Sequence, residues 1–436
     1  MIKNLEKLKR IVARDSKVIM TTTRVNYPLV IEKGNGDYAY DAAGNRFIDF
    51  SSFISVYNFG VNANAQIRSA VKKQVDVMMH TAFNDYYSEL PVVFAEKLVK
   101  MFPGGFGKVF FSNSGTEANE AALKFSKIFT KKQYALSFYN SFHGRTYGSL
   151  GLTASFTVHR ENFGPFNSVI HTPFPYCYRC KLNDGSKCCL ESVDNIENNI
   201  LQKETSGKEI AAVFLEPIQG EGGYIVPPKE FVKELRRITK DNGILLVSDE
   251  VQAGYMRTGK FLALDNFGVD ADIYTMAKAI AGGIPMGVTV SKKSLGDIPE
   301  GSHSNTFGGN LVAVAAANAS IDYVRRNQRS LELSAKKKGK KIMTRLNELK
   351  ERYEIVGDVR GLGLMIGVEF VKSKKTKEYA TIERDRILKL CFNEGLILLP
   401  AGRSAIRLIP PLTMSMQNIE KGLDILESAI KEISSG

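Results

Sequence analysis

Five short apolar runs, at residues 109–111, 135–139, 211–215, 244–247 and 273–276, are each followed at once by polar or glycine residues, with helix-like segments between them. Near-continuous apolar runs of this length suit strands buried on both faces, and their alternation with helices is the pattern of a mostly parallel sheet covered on both sides. Ligands of such sheets bind beyond the carboxyl ends of the strands, so the five polar followers are expected to converge and carry the chemistry. The expected fold class is α/β: a large lobe over 65–325, and a smaller α+β lobe built from an N-terminal segment, 1–64, and a C-terminal segment, 326–436. In the latter a lysine-rich helix beginning near Leu331 leads to a strand at 364–370, a helix near 382–393 and a short strand at 405–408. At 436 residues the chain can bury two cores without disulfide or metal support.

Asp249 closes the fourth run, and Lys278 stands 278 − 249 = 29 residues further on, just past the fifth. An amine can form a Schiff base with an aldehyde cofactor, and a carboxylate beside a pyridine nitrogen can keep it protonated, which suggests pyridoxal phosphate chemistry. Taken singly, a lone lysine is usually a solvated surface charge, and an aspartate after a strand usually a turn residue or helix cap. Ser112-Asn113-Ser114-Gly115-Thr116-Glu117 opens a helix whose Ala118, Ala121, Ala122, Phe125 and Phe129 share one face. Ser114 and Glu117 form a capping-box pattern, and the helix N-terminus with Gly115 suits a phosphate, although taken singly an ordinary capped helix is the commoner meaning. In Phe142-His143-Gly144-Arg145, Phe142 suits stacking on a flat ring and Arg145 a carboxylate, or else a core aromatic and a surface ion pair; His143 also reads as a satisfied polar group. Glu216 and Glu221 lie on a glycine-rich turn. Paired carboxylates suit glycosidase-type chemistry, but Glu221 is used more economically in pairing with a substrate-recognising arginine. Gln252, three residues beyond Asp249, can donate to a cofactor's phenolic oxygen.

The net charge of +13 permits binding to anionic partners, and Lys336-Lys337-Lys338-Gly339-Lys340-Lys341 is the densest basic cluster. Its helical setting points to a solvated lysine face, so no nucleic-acid partner is expected. No apolar stretch approaches the ~20 residues of a membrane span, and the first residues lack a signal-peptide core, so the expected location is cytoplasmic, with no membrane partner. Cys177, Cys180, Cys188 and Cys189 are spaced for zinc, an iron-sulfur cluster or a disulfide, but no histidine joins them at ligand spacing; reduced thiols without metal are expected.

Together, Ser114 to Ala118, Phe142 to Thr146, Glu216 to Gly222, Asp249 to Gln252 and Lys278 before Gly282-Gly283 resemble the class III, fold-type-I pyridoxal-phosphate aminotransferases, and the likeness covers nearly the whole chain. The resemblance implies a seven-stranded large-domain sheet and assigns Lys278 the Schiff base, Asp249 the pyridine nitrogen, Gln252 the phenolic oxygen, and Phe142 and Val251 the two ring faces. Gly115 and Thr116 hold the phosphate, joined by Thr306 across a subunit boundary of a homodimer or dimer of dimers; Ser114, His143 and Glu216 complete the cofactor set. Arg407 matches the family arginine that binds an α-carboxylate, masked by Glu221 when an ω-amine is present. Arg145 takes the other carboxylate, and Ile54 borders the substrate. The implied reaction is ping-pong transfer from an ω-amino acid such as 4-aminobutyrate, ornithine or lysine to 2-oxoglutarate. Phe53 stands where family members often carry glycine, and Leu311 replaces a usual proline; both changes bear on the substrate rather than the cofactor. A racemase or epimerase on the same scaffold is the alternative, and a non-catalytic basic binding protein a third reading that Lys278 and Asp249 oppose.

Overall fold

The computed structural model describes residues 2–23, 25, 27–166, 168–180 and 190–435. It divides into two compact units, Gln66–Glu332 and Met1–Ala65 with Leu333–Gly436.

The larger unit is organised by a seven-stranded sheet of β1 (Phe106–Ser112), β2 (Tyr134–Phe138), β3 (Val169–Thr172), β4 (Ile210–Leu215), β5 (Leu245–Asp249), β6 (Ile273–Met276) and β7 (Gly287–Lys292). Their order is β1-β7-β6-β5-β4-β2-β3. β7 runs antiparallel to β1 and β6, and the remaining neighbours pair parallel. All six residues of β4, Ile-Ala-Ala-Val-Phe-Leu, are buried, as a strand covered on both faces requires. Helix α1 (Gly115–Thr130) lays Ala122 and Leu123 into a core with Ala135, Ala212, Phe214, Val247 and Ile273.

Two strands lie outside the five apolar runs. β7, Gly-Val-Thr-Val-Ser-Lys, alternates like a half-exposed strand yet is almost wholly buried. Its Thr289 hydroxyl tolerates burial because it donates to the Ala118 carbonyl at 2.8 Å. β3 is only four residues long and carries His171, so no apolar run announces it. The long helix begins at Leu311, not near Leu331, and extends to Arg352. Its first two turns hold Ala313, Val314, Ala315, Ala316 and Ala317, all buried, and a helix buried all round shows no amphipathic stripe.

The smaller unit holds two four-stranded sheets. In one, Ile31–Asn35, Tyr38–Asp41 and Arg46–Asp49 form a meander joined by the parallel Leu396–Ile397. In the other, Val356–Leu362, Met365–Phe370, Ala405–Leu408 and Leu399–Ala401 pair antiparallel. Lys336, Lys337, Lys340 and Lys341 of the long helix are exposed, whereas Lys338 reaches back to donate to the Leu412 carbonyl. Among the described residues, no helix is long and apolar enough to cross a membrane.

Candidate active site

Strand register brings together what the sequence separates. Asp249 at the end of β5 lies opposite Thr275 of β6, and the Glu250 amide donates to the Thr275 carbonyl at 2.9 Å. Lys278 follows two residues after β6, on the same sheet edge. Its φ of 38° is left-handed, a conformation that costs a non-glycine residue about 1–2 kcal/mol and that clusters at functional sites.

Asp249 is buried and fully engaged. Its Oδ2 accepts from Asn119 Nδ2 at 2.7 Å and from His143 Nδ1 at 2.8 Å, and its Oδ1 accepts from the Val251 amide at 3.0 Å. Donation to a carboxylate places the His143 proton on Nδ1, so His143 acts through Asp249. Asn119, absent from the sequence-based site, is the hub of this network. It also donates to the His143 carbonyl at 2.8 Å and accepts from the Thr275 hydroxyl at 2.8 Å. Its only sequence signal is an amide beside Ala118, Ala121 and Ala122, a polar group that burial obliges to find partners.

Beside Asp249, α1 points its N-terminus at the sheet edge. Ser114 caps it by accepting from the Glu117 amide at 3.3 Å, while Glu117 Oε2 accepts from the Asn113 amide at 2.6 Å, one residue before the usual capping-box partner. The Thr116 hydroxyl accepts from the Arg145 amide at 3.2 Å and meets Thr146 and Ser149, tying the 142–146 loop to the helix start. Gly144, at φ 136°, permits this: a Cβ there would lie 2.1 Å from Thr116 Oγ1. A Cβ on Gly115 would lie 2.7 Å from Val251 Cγ1.

Glu216 braces the next two segments. Its carboxylate accepts from the Phe142 amide at 2.9 Å and the Gly220 amide at 3.1 Å, locking the aromatic loop to the glycine-rich turn. Burial pushes this carboxyl up to about 7, with the Asp249 carboxylate adding to the rise and His143 and the two amides opposing it. A carboxyl whose pKa is raised by folding retains its proton longer in the folded chain, so its stabilising contribution is present in acid and lost as pH rises through about 7. The melting midpoint is expected to fall between pH 5 and 8, and less steeply in Glu216→Gln. Glu250, also raised to about 7 by burial, supplies a remaining slope. Equal slopes in thermal melts of the two proteins would contradict the assignment.

Gln252 Oε1 accepts from the Tyr224 hydroxyl at 2.7 Å, fixing an amide against which Gly220 packs closely. Arg145 is exposed, with its guanidinium 5.6 Å from the Phe142 ring centroid. Half-buried Glu221 and Arg145 both act electrostatically on His159, a residue that sequence reasoning did not select. Thr306 is exposed on a segment whose Asn305 Nδ2 donates to the Phe111 carbonyl at 2.9 Å.

A model of the family described as "Aminotransferase class-III" matches residues 19–430. The chain belongs to the class-III aminotransferases. It is thus a pyridoxal-phosphate-dependent enzyme. It is 37% identical over 431 residues to the leucine/methionine racemase of Thermococcus litoralis, covering 98% of this chain and 96% of that one. It is 34% identical over 426 residues to the probable 4-aminobutyrate aminotransferase of Bacillus subtilis, covering 96% of each. It resembles the solved taurine:2-oxoglutarate aminotransferase of Bifidobacterium kashiwanohense, in complex with PLP and glutamate, with a TM-score of 0.91 and 26% identity over 98% of each chain.

The residues present in this aminotransferase fit its cofactor. The larger unit supplies a helix N-terminus opened by Gly115 for the phosphate, an aromatic and an aliphatic side chain in Phe142 and Val251, a buried carboxylate and a strained lysine on one sheet edge.

The smaller unit of the aminotransferase holds Ile54 and Arg407. Residues 52–55 form a turn with φ of 44°, 50°, 63° and 62°, four successive left-handed non-glycine residues. Phe53 sets its ring edge-on to Tyr57 at 5.6 Å. Ile54 is 40% exposed. The turn is anchored to the strand bearing the buried Arg407, since the Ser52 hydroxyl donates to the Ile409 carbonyl and the Ile409 amide donates to the Phe50 carbonyl at 2.8 Å.

Cys177 and Cys180 bracket a 3-10 turn, and Cys188 and Cys189 lie outside the described residues. Among the described residues no three His, Cys, Asp or Glu side chains are grouped to hold a metal ion.

Proposed function

We propose that this aminotransferase moves the amino group of an ω-amino acid of the 4-aminobutyrate kind, with ornithine and lysine as further donors, to 2-oxoglutarate. The observation that carries this reading is exposed Arg145 over the Phe142 ring, a cation suited to a carboxylate, with the Glu221 charge acting on the same His159 as Arg145. When bound, pyridoxal phosphate supplies the aldehyde that receives the amino group and a ring that accepts electron density. Asp249 holds the proton on the pyridine nitrogen, and His143 and Asn119 keep its carboxylate oriented. With the cofactor bound, Lys278 Nζ would act as the general base that takes up and delivers the proton leaving the substrate's amine-bearing carbon. Gln252 would donate to the phenolic oxygen, and Phe142 and Val251 would flank the ring. Ser114, Gly115 and Thr116 would receive the phosphate, with Thr306 of a second copy joining them in a homodimer. Arg145 binds a carboxylate of the acceptor, and the family likeness assigns Arg407 to an α-carboxylate.

Relatives named leucine/methionine racemase and alanine/serine racemase, 37% and 36% identical, favour a second reading. There Lys278 returns the proton to the α-carbon and no keto acid is needed. The two readings separate in the absorption spectrum of the holoenzyme, with 4-aminobutyrate, ornithine, lysine and L-leucine added one at a time without keto acid. Transamination is expected to bleach the yellow band with one ω-amine, and 2-oxoglutarate to restore it. A persistent band while L-leucine becomes a D,L mixture would overturn it in favour of racemisation.

A further inference from the structure

His159 belongs to a short 3-10 turn that the sequence motifs leave unassigned, yet its ring lies against Phe142 and Arg145. It meets Phe142 edge-on, with centroids 5.6 Å apart and an interplanar angle of 78°, and Phe156 closes its other side at 5.5 Å and 88°. Its Nε2 lies 3.4 Å from Arg145 Nη2, and its Nδ1 lies 3.0 Å from Ser155 Oγ. A guanidinium has only donors, so Nε2 is the acceptor and the ring proton sits on Nδ1, directed at the Ser155 hydroxyl. The imidazole is therefore neutral when it holds Arg145. The Arg145 contact is long, and it aims the guanidinium over the Phe142 face rather than clamping it.

We propose that His159 is a positioning residue for substrate choice: its neutral Nε2 orients Arg145 toward the distal carboxylate of a dicarboxylate ligand, and protonation of that nitrogen releases Arg145. The inference rests on the assignment of Arg145 to a substrate carboxylate.

The charges around the ring fit the role. Burial and Arg145 both hold the His159 pKa below its ordinary value, and Glu221 opposes them. Arg160, next in sequence, turns away, donating to the carbonyls of Leu150, Gly151 and Thr153 and lying over Phe166. The ring is thus neutral at pH 7. In acid a second cation faces Arg145, and the site loses its preference for the second carboxylate. Glu221, whose charge acts on the same ring, makes an incoming carboxylate dependent on a well-placed Arg145.

The test is calorimetric binding of glutarate and of butyrate to the holoenzyme, which share one carboxylate and differ in the second, between pH 5 and 8. Wild type is expected to bind glutarate more tightly than butyrate above pH 7 and to lose that preference toward pH 5. His159→Ala should lower glutarate affinity about tenfold at pH 8, the weight of one hydrogen bond to a charged group, and leave butyrate unchanged. His159→Gln, whose amide oxygen can reach the Nε2 position, should restore glutarate binding and abolish the acid limb. An Ala variant that keeps the glutarate preference, or a Gln variant that keeps the acid limb, overturns the inference. Wild type that transaminates ω-amines but never prefers glutarate overturns it alone. Wild type that prefers glutarate and transaminates no donor overturns the proposed function alone.

Discussion

Lys278→Ala is expected to abolish turnover, with a loss of at least about 10⁴-fold, the upper range of what one positioned acid-base group contributes. In the proposed function Lys278 serves both as the amine that attaches the cofactor and as the base, so both functions would vanish together. The fold should survive. The side chain is half-buried at the rim of the sheet, and alanine meets the same left-handed backbone that lysine already occupies at φ 38°. The check is the absorption spectrum with steady-state turnover and a thermal melt on the same preparation. Variant protein that keeps wild-type turnover would remove Lys278 from the chemistry, whereas low activity with a collapsed melt would mean that the lysine is structural.

Asp249→Ala is expected to cost both activity and stability. Three donors, Asn119 Nδ2, His143 Nδ1 and the Val251 amide, end on this carboxylate inside the unit. Stranding buried donors costs about 1–3 kcal/mol each, so a loss of several kcal/mol is expected in denaturant titration. Turnover should fall by about 10²–10³-fold or more, the scale seen when a charge-stabilising group is removed from an active site. Asp249→Asn separates the two effects. Its amide keeps the shape and one acceptor, so it should recover most of the stability, but it carries no charge with which to hold a proton on a pyridine nitrogen. Recovery of turnover along with stability in Asp249→Asn would leave the aspartate a structural role only.

The five apolar runs fall on strands of the large sheet because strands covered on both faces must be apolar throughout, a composition visible locally; edge strand β1 departs from this, with Val109 and Phe110 half-buried. β7 escaped because a satisfied threonine hydroxyl let a polar residue enter the core, and the start of the long helix escaped because burial on all sides erases periodicity. At the site, the glycine and capping signals around Ser114 were legible as local chemistry. The left-handed run at 52–55 was not, because its glycine cue is replaced by Phe53 and the turn is held instead by distant groups such as the Ile409 carbonyl.

The sequence by itself determined the family, the α/β class and the cofactor, since these follow from residue types that must follow particular strands: glycine where a helix start meets an anion, and Asp and Lys after β5 and β6. Only the tertiary structure decided how those groups are held. Asn119 and His143 converge on Asp249 because α1 and the 142–146 loop fold over the same sheet edge, and Glu216 ties that loop to the glycine-rich turn by two amide bonds. His159 enters only through space, brought to Phe142 and Arg145 by the turn after residue 156. Hydrogen bonds between residues remote in sequence leave no periodic trace in it, so partners of this kind become visible only when the strands align.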